Sequence, residues 1–257
     1  MFSPQRRERI LEILHERKQI VVRELAAELG VSEGTLRTDL RLLEEEGKLE
    51  RTHGGAIPVS APGYRQAEIA ESPRSELNRA EKQAIGRAAA ALVSKGQCVM
   101  LDASTTALEL AKHLVDMDYL TVVTNGLNSA MLLNQNPRIN VILIGGVLRP
   151  GSRSIEGLLG QGILEDIHAD LFFTSSEGFT LETGMTDFSV YEAELKKRMA
   201  AGVSQVVALL DHTKLGRRSI AASIRPPGIH TLITDGRADP DYVRKLKRNG
   251  IRVMIAD

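Results

Sequence analysis

Carboxylate and hydroxyl side chains gather in the run Asp102-Ala103-Ser104-Thr105-Thr106. The apolar residues before Asp102 predict a buried strand, and the residues after Ser104 predict a helix. The first amides of a helix have no acceptor within the helix and lie at the positive end of its dipole, so they bind anions. We therefore expect an anion site at which Ser104, Thr105 and Thr106 supply hydroxyl groups. The alternative from the residues alone is that Ser104 or Thr105 only caps the helix.

Two more predicted strands end in small or polar residues. Thr124-Asn125-Gly126 ends one strand, and Gly145-Gly146 ends the next strand along the chain. The carboxyl ends of parallel strands lie at one edge of a sheet, and open α/β sheets bind ligands there. Together with the Asp102 run, these residues predict one ligand site at that edge. The positions expected to line it from these two strands are Thr124, Asn125, Gly145 and Gly146.

A separate group of residues near the N-terminus has the spacing of a DNA-reading element. The predicted helix Val22–Leu29 is followed by Gly30, which suits a left-handed helix end, and by Ser32, which suits the cap of a third helix. A helix, a glycine-containing turn and a second helix form a helix-turn-helix, whose second helix enters the major groove of DNA. The alternative is a small helical bundle that binds no DNA.

The third predicted helix has an apolar face and an open face. Leu36, Leu40 and Leu43 recur at helical spacing and should face the core. Arginine can bond guanine bidentately, threonine can contact a base or a thymine methyl, and the free amides after the cap suit a phosphate oxygen. The DNA-contacting residues expected from this segment are Ser32, Glu33, Thr35, Arg37, Thr38 and Arg41.

The net charge gives no independent support for nucleic-acid binding. The chain carries 33 basic and 33 acidic residues, and residues 1–60 carry ten Lys or Arg against eleven Asp or Glu. DNA binding must therefore rest on where the charges lie rather than on a bulk field. Glu44, Glu45 and Glu46 lie at the far end of the third helix, away from its DNA-reading residues.

The composition is that of a globular protein and argues against several other classes. Hydrophobic residues make up 42% and charged residues 26% of the chain, so extensive disorder is not expected. Cys98 is the one cysteine, sits in an apolar run and is expected to be a small buried hydrophobe. The six histidines show no zinc-ligand spacing, so we expect no metal and no cofactor. The N-terminus has no apolar signal core and no apolar run reaches 18 residues, so we expect a cytoplasmic protein without membrane contact.

A longer spaced pattern runs through residues 25–56. Its positions are Leu25-Ala26, Leu29, Val31-Ser32, Thr35-Leu36-Arg37, Asp39-Leu40, Leu43-Glu44, Gly47, Leu49, Arg51 and His53-Gly54-Gly55-Ala56. This pattern resembles the signature of the DeoR-type family of bacterial sugar-catabolism repressors. The resemblance implies that Arg51 and His53 lie at the wing of a winged helix, near the DNA backbone or minor groove. Many members carry a second arginine where this chain has Thr38, which implies a different operator preference.

The resemblance continues through residues 78–257, which are similar to the fold shared by ribose-phosphate isomerases and CoA transferases. It implies that Lys196 points toward the ligand and counters phosphate or carboxylate charge. It further implies that Asp102, Asp187 and Asp211 bond sugar hydroxyls. The family motifs are matched by Glu177-Gly178, Thr186-Asp187, Glu192 with Lys196, and Asp211 with Lys214.

The residues alone leave two of these roles open. Glu192 and Lys196 are four apart on a predicted helix, which by itself indicates an exposed ion pair of a common kind. Lys214 either acts on the ligand as Lys196 does or caps the turn formed by residues 211–214.

Apolar runs of four to six residues alternate with amphipathic helices in the larger part of the chain. This pattern predicts an α/β fold with a mostly parallel sheet covered on both faces. We expect a winged helix-turn-helix over residues 1–57, a linker over 58–77 and a ligand-sensing domain over 78–257. The predicted strands of the larger domain are Gln97–Asp102, Leu120–Thr124, Asn140–Ile144, Ala169–Thr174, Gln205–Leu210, His230–Thr234 and Arg252–Ile255. Its predicted helices are Asn78–Ser94, Thr105–Val115, Leu127–Asn134, Leu158–Ile167, Ser189–Gly202 and Asp239–Asn249.

These features predict a transcriptional regulator, not an enzyme, whose binding to double-stranded operator DNA is controlled by a phosphorylated sugar. The family usually represses, and helix-turn-helix proteins commonly bind paired half-sites, so we expect a repressor that forms a homodimer or homotetramer. The rival hypothesis is a sugar-phosphate isomerase with an accessory DNA-binding domain, in which acids and a lysine perform proton transfer. A third, an architectural DNA binder without a ligand, leaves the convergent strand ends unexplained.

Overall fold

The computed structural model describes residues 3–17, 20–46, 48–52, 54–58, 73–149 and 152–257. They belong to two compact units, Met1–Ala70 and Glu71–Asp257. His53 and most of the predicted linker lie outside the described residues. Residues 73–77, which were expected to belong to the linker, fall within the second unit.

The first unit combines three helices with a small antiparallel sheet in which β3 is central. This arrangement confirms the predicted winged helix-turn-helix. Its helices are α1 (Ser3–Arg17), α2 (Val22–Leu29) and α3 (Glu33–Glu45). Its strands are β1 (Ile20–Val21), β2 (Leu49–Thr52) and β3 (Gly55–Pro58).

The core of the first unit forms where the three helices meet. Leu36, Leu40 and Leu43 are at most 1% exposed, as their helical spacing predicted. They belong to the same apolar cluster as Ile10 and Leu14 of α1. Burial of such leucines stabilises a fold by about 1.5–3 kcal/mol each.

A buried ion pair also holds α1 to α3. The Nε of Arg6 donates to Oδ2 of Asp39 at 2.6 Å, and both residues are at least nine-tenths buried. Asp39 follows Leu36 by three residues, so it shares the inward face of α3. Because each charge would be costly to bury alone, the pair fixes the position of α3 against α1.

The second unit is built on seven parallel strands with helices on both faces. The strand order is β15-β14-β12-β9-β4-β5-β6, and each neighbouring pair is parallel. The strands are β4 (Cys98–Leu101), β5 (Leu120–Thr124), β6 (Ile139–Leu143), β9 (Ala169–Thr174), β12 (Val203–Leu209), β14 (Thr231–Asp235) and β15 (Arg252–Ala256). The helices are α4 (Pro73–Glu76), α5 (Arg79–Ala90), α6 (Thr105–Leu114), α7 (Leu127–Leu133), α8 (Gly162–Asp166), α9 (Val190–Ala201) and α10 (Pro240–Arg248).

The order of the strands reverses between β4 and β9. From β4 the chain adds β5 and β6 on one side of the sheet, and from β9 it adds β12, β14 and β15 on the other. The carboxyl ends of β4 and β9 therefore flank a topological switch point, where a crevice opens between diverging connections.

Short antiparallel strands extend the carboxyl edge of the main sheet. One small sheet joins β10 (Gly178–Thr180), β11 (Gly184–Asp187) and β13 (Ala221–Ala222). The hairpin of β7 (Val147–Leu148) and β8 (Ile155–Glu156) follows β6. The sequence analysis did not predict these strands, because runs of two to four residues are too short to show a period.

Several predicted element ends shift, and two of the shifts have a local cause. The helix expected from Asn78 begins at Arg79, because Asn78 has a left-handed backbone with φ of 53°. The helix expected over 158–167 shortens to α8. A Cβ on Gly160 would lie 2.3 Å from the carbonyl oxygen of Gly145, so the chain before α8 packs tightly on the end of β6.

Candidate functional sites

The turn between α2 and α3 has the geometry of a helix-turn-helix. Gly30 ends α2 in the left-handed conformation with φ of 65°. Ser32 then caps α3, because its Oγ accepts a hydrogen bond from the amide of Thr35 at 3.1 Å. The hydroxyls of Ser32 and Thr35 also lie 2.8 Å apart, so both are already engaged at the start of α3.

The open face of α3 carries the side chains expected at DNA. Arg37, Thr38 and Arg41 are exposed, whereas Thr35 is half-buried. Arg37 pairs with Glu33 at 3.0 Å and Arg41 pairs with Glu45 at 2.7 Å, each four residues apart on the same helix. Exposed pairs of this kind contribute only about 0.3–0.5 kcal/mol, so both arginines can exchange their partners for DNA at little cost.

The wing is the hairpin of β2 and β3. Arg51 of β2 lies opposite Ala56 of β3, and Thr52 lies opposite Gly55. A Cβ on Gly55 would lie 1.8 Å from the carbonyl oxygen of Ile20, so only glycine lets β1 approach the hairpin this closely.

Asp102 ends β4 at the switch point of the main sheet and is 1% exposed. Its Oδ1 accepts from the amide of Ser104 at 3.0 Å. Its Oδ2 accepts from the Thr174 hydroxyl at 2.8 Å and from the Ser175 amide at 2.9 Å, both at the end of β9. The Asp102 carboxylate therefore joins the two strand ends that flank the crevice.

Ser104 caps α6, and its Oγ accepts from the amide of Ala107 at 3.1 Å. The capping expected for this residue is thus present. Thr105 is half-buried and Thr106 is 3% exposed, and their amides are the first two of α6. Such amides have no acceptor within the helix.

The end of β5 lies beside the end of β4, and the end of β6 lies beside that of β5, as the parallel pairing requires. Thr124 Oγ1 accepts from the amide of Gly126 at 3.0 Å. Asn125 donates from Nδ2 to the Ile155 carbonyl at 2.9 Å, and its buried Oδ1 has no partner among the described residues. Gly145 and Gly146 are exposed in the connection between β6 and β7.

Lys196 lies at the centre of a buried charge cluster and is 3% exposed. Its Nζ is 2.7 Å from Asp187, 2.9 Å from Glu192 and 3.4 Å from Asp102, and it donates to the Ser175 carbonyl at 2.7 Å. The Glu192–Lys196 pair is therefore not the exposed ion pair that the residues alone suggested.

The electrostatics of this cluster keep Lys196 charged. Burial by itself lowers the pKa of Lys196, but Asp187, Glu192 and Asp102 outweigh it and raise that pKa. Burial raises the pKa of Asp187 despite the nearby Lys196, and Ser223 also donates to Asp187 at 2.7 Å. Three carboxylates around one ammonium leave an excess of acceptor oxygens.

Glu177, two residues after Ser175, borders an open cleft of about 450 Å³. Burial raises the pKa of Glu177, but Arg74 and Lys214 outweigh it and hold that pKa below its usual value. Arg74 donates to Oε1 of Glu177, and Lys214 Nζ donates to its Oε2 at 3.3 Å. The other residues that line this cleft are Phe188, Arg217, Arg218 and Ser219.

Asp211 follows β12 and caps the turn that Lys214 was considered to cap. Its Oδ1 accepts from the amide of Thr213 at 3.0 Å and from Nδ2 of Asn78 at 3.1 Å. Asp211 is 2% exposed, so it lies beneath the turn rather than on its surface. The Lys214 ammonium reaches Glu177 instead.

The structure thus brings most of the expected ligand residues together but divides them into two groups. Asp102, Asp187 and Lys196 form the buried cluster, whereas Glu177 and Lys214 lie at the open cleft. Several residues that complete these groups are not predicted by the sequence. The missed residues are Arg74, Thr174, Ser175, Phe188, Arg217, Arg218 and Ser223.

Cys98 is half-buried at the start of β4. Burial, with Asp170 nearby, raises the pKa of its thiol, which disfavours the nucleophilic thiolate. The described part of the chain contains no cluster of three potential metal ligands. Nor do its helices include one that is long and apolar enough to span a membrane.

Comparison with known proteins covers both units. Residues 6–61 match the model of the DeoR-like helix-turn-helix domain, and residues 77–236 match the DeoR C terminal sensor domain. The HTH-type transcriptional regulator GolR of Listeria innocua is 43% identical over 257 residues, which cover 100% of both chains. The HTH-type transcriptional repressor GlcR of Bacillus subtilis is 35% identical, and the match covers 100% of this chain and 98% of GlcR.

Among solved structures, ribose 5-phosphate isomerase A of Methanocaldococcus jannaschii is similar to part of this chain. The match covers 54% of this chain and 55% of the isomerase, with 17% sequence identity and a TM-score of 0.41. A likeness at this level carries no functional argument. The full-length relatives are named transcriptional regulators and repressors, which favours the regulator hypothesis over the isomerase alternative. The chain belongs to the DeoR family of helix-turn-helix transcriptional regulators.

Proposed function

We propose that this regulator controls genes of carbohydrate catabolism and that a phosphorylated sugar, bound at the carboxyl edge of the main sheet, changes its affinity for operator DNA. The observation that carries this proposal is the meeting of β4, β9 and α6 at the switch point. There the first amides of α6 favour an anion, and the buried carboxylate cluster favours hydroxyl donors.

The two halves of a sugar phosphate suit these two environments. The phosphate lies near Ser104, Thr105 and Thr106, where amides and hydroxyls donate to its oxygens. The sugar hydroxyls lie toward Asp102 and Asp187, whose oxygens retain acceptor capacity beyond their present bonds. Lys196 holds those carboxylates in place and offsets part of their charge.

DNA binding is assigned to α3 and the wing. In this proposal Arg37, Thr38 and Arg41 face the major groove, and the amides after Ser32 contact a phosphate. Arg51 and His53 contact the DNA backbone or the minor groove. Glu33 positions Arg37 through their ion pair rather than contacting a base.

The ligand and the operator influence each other by linkage. If the ligand binds one arrangement of the protein better and DNA binds another, each weakens the other by the same factor. The segment from α4 to Asn78 is suited to transmit this change, because it includes the last residues of the predicted linker and contacts site residues directly. Arg74 bonds Glu177, and Asn78 bonds Asp211.

A homodimer or homotetramer completes the proposal, since paired half-sites require paired reading helices. Exposed apolar side chains follow β6, the edge strand of the main sheet. Val147 and Leu148 are neighbours in β7, so their side chains point to opposite faces of the strand. Val147 is 59% and Leu148 is 53% exposed, which means that both faces of this strand are open. Leu159, next to the Gly160 that packs on Gly145, is 82% exposed. A second copy of this chain is the partner that both the operator symmetry and this apolar surface favour.

The proposal is tested by measuring thermal shifts of the full chain with pentose and hexose phosphates. Operator affinity is then measured with and without each ligand that binds. A neutral sugar that binds more tightly than its phosphate would contradict the proposal. Turnover of a bound sugar phosphate would instead favour the isomerase alternative.

A further inference from the structure

We infer that the cleft beside Glu177 is a second anion subsite and that the effector carries two anionic groups, one at each end. The inference rests on the proposed function, because it assigns the first anionic group to the start of α6. The second group is held by Arg217 and Arg218. The effector class is therefore a sugar bisphosphate or a phosphorylated sugar acid.

The first support is the presence of two arginines without a counter-charge at a cleft. Arg217 and Arg218 are exposed and line the open space of about 450 Å³ together with Phe188 and Ser219. Neither arginine forms an ion pair with any residue that the structure describes. A guanidinium presents its donors in a planar fork that matches phosphate and carboxylate oxygens.

The second support is the charge balance of the cleft. Glu177 is the one carboxylate among the lining residues, and it already accepts from Arg74 and Lys214. Arg74 and Lys214 therefore already neutralise the negative charge of Glu177, and the charges of Arg217 and Arg218 come in addition. The cleft carries an excess of positive charge, which raises the local concentration of anions.

The ring of Phe188 holds two arginine side chains beside the cleft. The guanidinium of Arg149 lies 4.2 Å from the centroid of its ring, and that of Arg74 lies 5.6 Å from it. Cations on an aromatic face are held in place by the ring. Arg149, which also pairs with Glu156 at 3.2 Å, is thereby held near the cleft together with Arg74.

The backbone that carries Arg217 and Arg218 is anchored on the small sheet. The amide of Gly216 donates to the Phe179 carbonyl at 2.9 Å, and the amide of Ser219 donates to the Thr186 hydroxyl at 2.8 Å. A Cβ on Gly178 would lie 2.5 Å from the Arg217 carbonyl oxygen, so the two backbones are in close contact. This anchoring reduces the entropy lost when the arginines bind an anion.

The cleft and the start of α6 belong to one edge of the main sheet. The Ser175 amide donates to Asp102, which also accepts from the amide of Ser104. Glu177, at the border of the cleft, follows Ser175 by two residues. A ligand that spans the buried carboxylate cluster can therefore place one anionic group at each subsite.

The test compares matched pairs of ligands by calorimetry on the full chain. The probes are fructose 6-phosphate with fructose 1,6-bisphosphate, ribulose 5-phosphate with ribulose 1,5-bisphosphate, and glucose 6-phosphate with 6-phosphogluconate. Each is measured with the wild-type chain and with the double variant Arg217→Ala/Arg218→Ala. The control is Arg138→Ala/Arg252→Ala, which removes the same charge from exposed residues beside the amino ends of β6 and β15.

We expect at least one probe with two anionic groups to bind the wild-type chain tenfold or more tightly than its partner with one anionic group. The double variant should lose that advantage, whereas the control should keep it. Equal affinity of the wild type and the Arg217/Arg218 variant for every doubly anionic probe would overturn the second subsite while leaving the proposed function in place. Binding of none of the phosphorylated probes would overturn the proposed function itself. A preference for 6-phosphogluconate over the bisphosphates would identify the second group as a carboxylate.

Discussion

The guanidinium of Arg74 donates to the carboxylate of Glu177, across 103 positions of the chain. Arg74 lies in α4, at the end of the predicted linker, and Glu177 follows the end of β9 at the switch point. The Arg74 carbonyl also accepts from the buried ammonium of Lys82. The start of the second unit is thus held by groups that belong to the candidate effector site.

Replacing Arg74 with Ala should uncouple effector binding from DNA binding. The variant should bind effector and operator separately, but the effector should change operator affinity by a smaller factor than in the wild type. Fluorescence anisotropy with labelled operator, at zero and saturating effector, measures that factor. The matched control is Arg87→Ala, which removes an exposed arginine of α5 that bonds the Asp257 carbonyl. An unchanged factor in Arg74→Ala would show that α4 does not transmit the signal.

Arg37→Ala should weaken specific operator binding by about 1–3 kcal/mol, the range for loss of a bidentate base contact. Effector binding should not change, because Arg37 belongs to the first unit. Arg9→Ala, which removes an exposed arginine of α1 paired with Glu12, is the control. If affinities for operator and for unrelated DNA fall by the same factor, Arg37 contacts a phosphate and not a base.

The double change Thr105→Val/Thr106→Val removes two hydroxyls from the start of α6 at nearly constant volume. Phosphate affinity should fall while the thermal unfolding midpoint stays close to that of the wild type. Operator binding should persist but no longer respond to the effector. Thr121→Val at the other end of the sheet is the control. A sugar phosphate that binds the double variant as tightly as the wild type would place the anion elsewhere.

Lys196→Met should lower the free energy of unfolding at neutral pH by about 3–5 kcal/mol, because it leaves buried carboxylates without their cation. Since the pKa of Lys196 is raised on folding, its stabilisation is fully present at neutral pH and is lost only well into the alkaline range. In the variant the pKa values of Asp187 and Glu192 lose the lowering effect of Lys196 and should rise, so the loss should shrink as the pH falls and these two groups become protonated. Urea unfolding at several pH values measures this, and a loss that grows on acidification would contradict the charge argument.

Placing charges on the hairpin residue Leu148 and on the exposed Leu159 should dissociate the proposed dimer. Leu148→Glu/Leu159→Glu introduces two carboxylates into an apolar surface, where their desolvation opposes association. Analytical ultracentrifugation should show a smaller species, and operator affinity should fall with it. The control is Ile255→Glu on β15, the opposite edge strand, which is 43% exposed. An unchanged mass for the hairpin variant would exclude this surface as the interface.

Local patterns determined much of this fold. The bounds of β5 and β9 are those predicted, and Leu36, Leu40 and Leu43 lie in the core, because strand and helix periods record which side of an element is buried. The cap at Ser32 was also predictable, since capping depends on neighbouring residues alone. The inward position of Asp39 also follows from its spacing to Leu36. The identity of its partner, Arg6, does not follow from any spacing in the sequence.

The tertiary structure decided which polar groups share a site. Glu192 and Lys196 form an ordinary helical pair in the sequence, and only the packing of α9 against β9 and β11 buries them with Asp102 and Asp187. Two other pairs join residues that are more than 70 positions apart, so no periodicity connects them. These pairs are Arg74 with Glu177 and Thr174 with Asp102. Short-range spacing specifies the face of an element, whereas the partner of a buried charge depends on strand order, which is set by the packing of the whole unit.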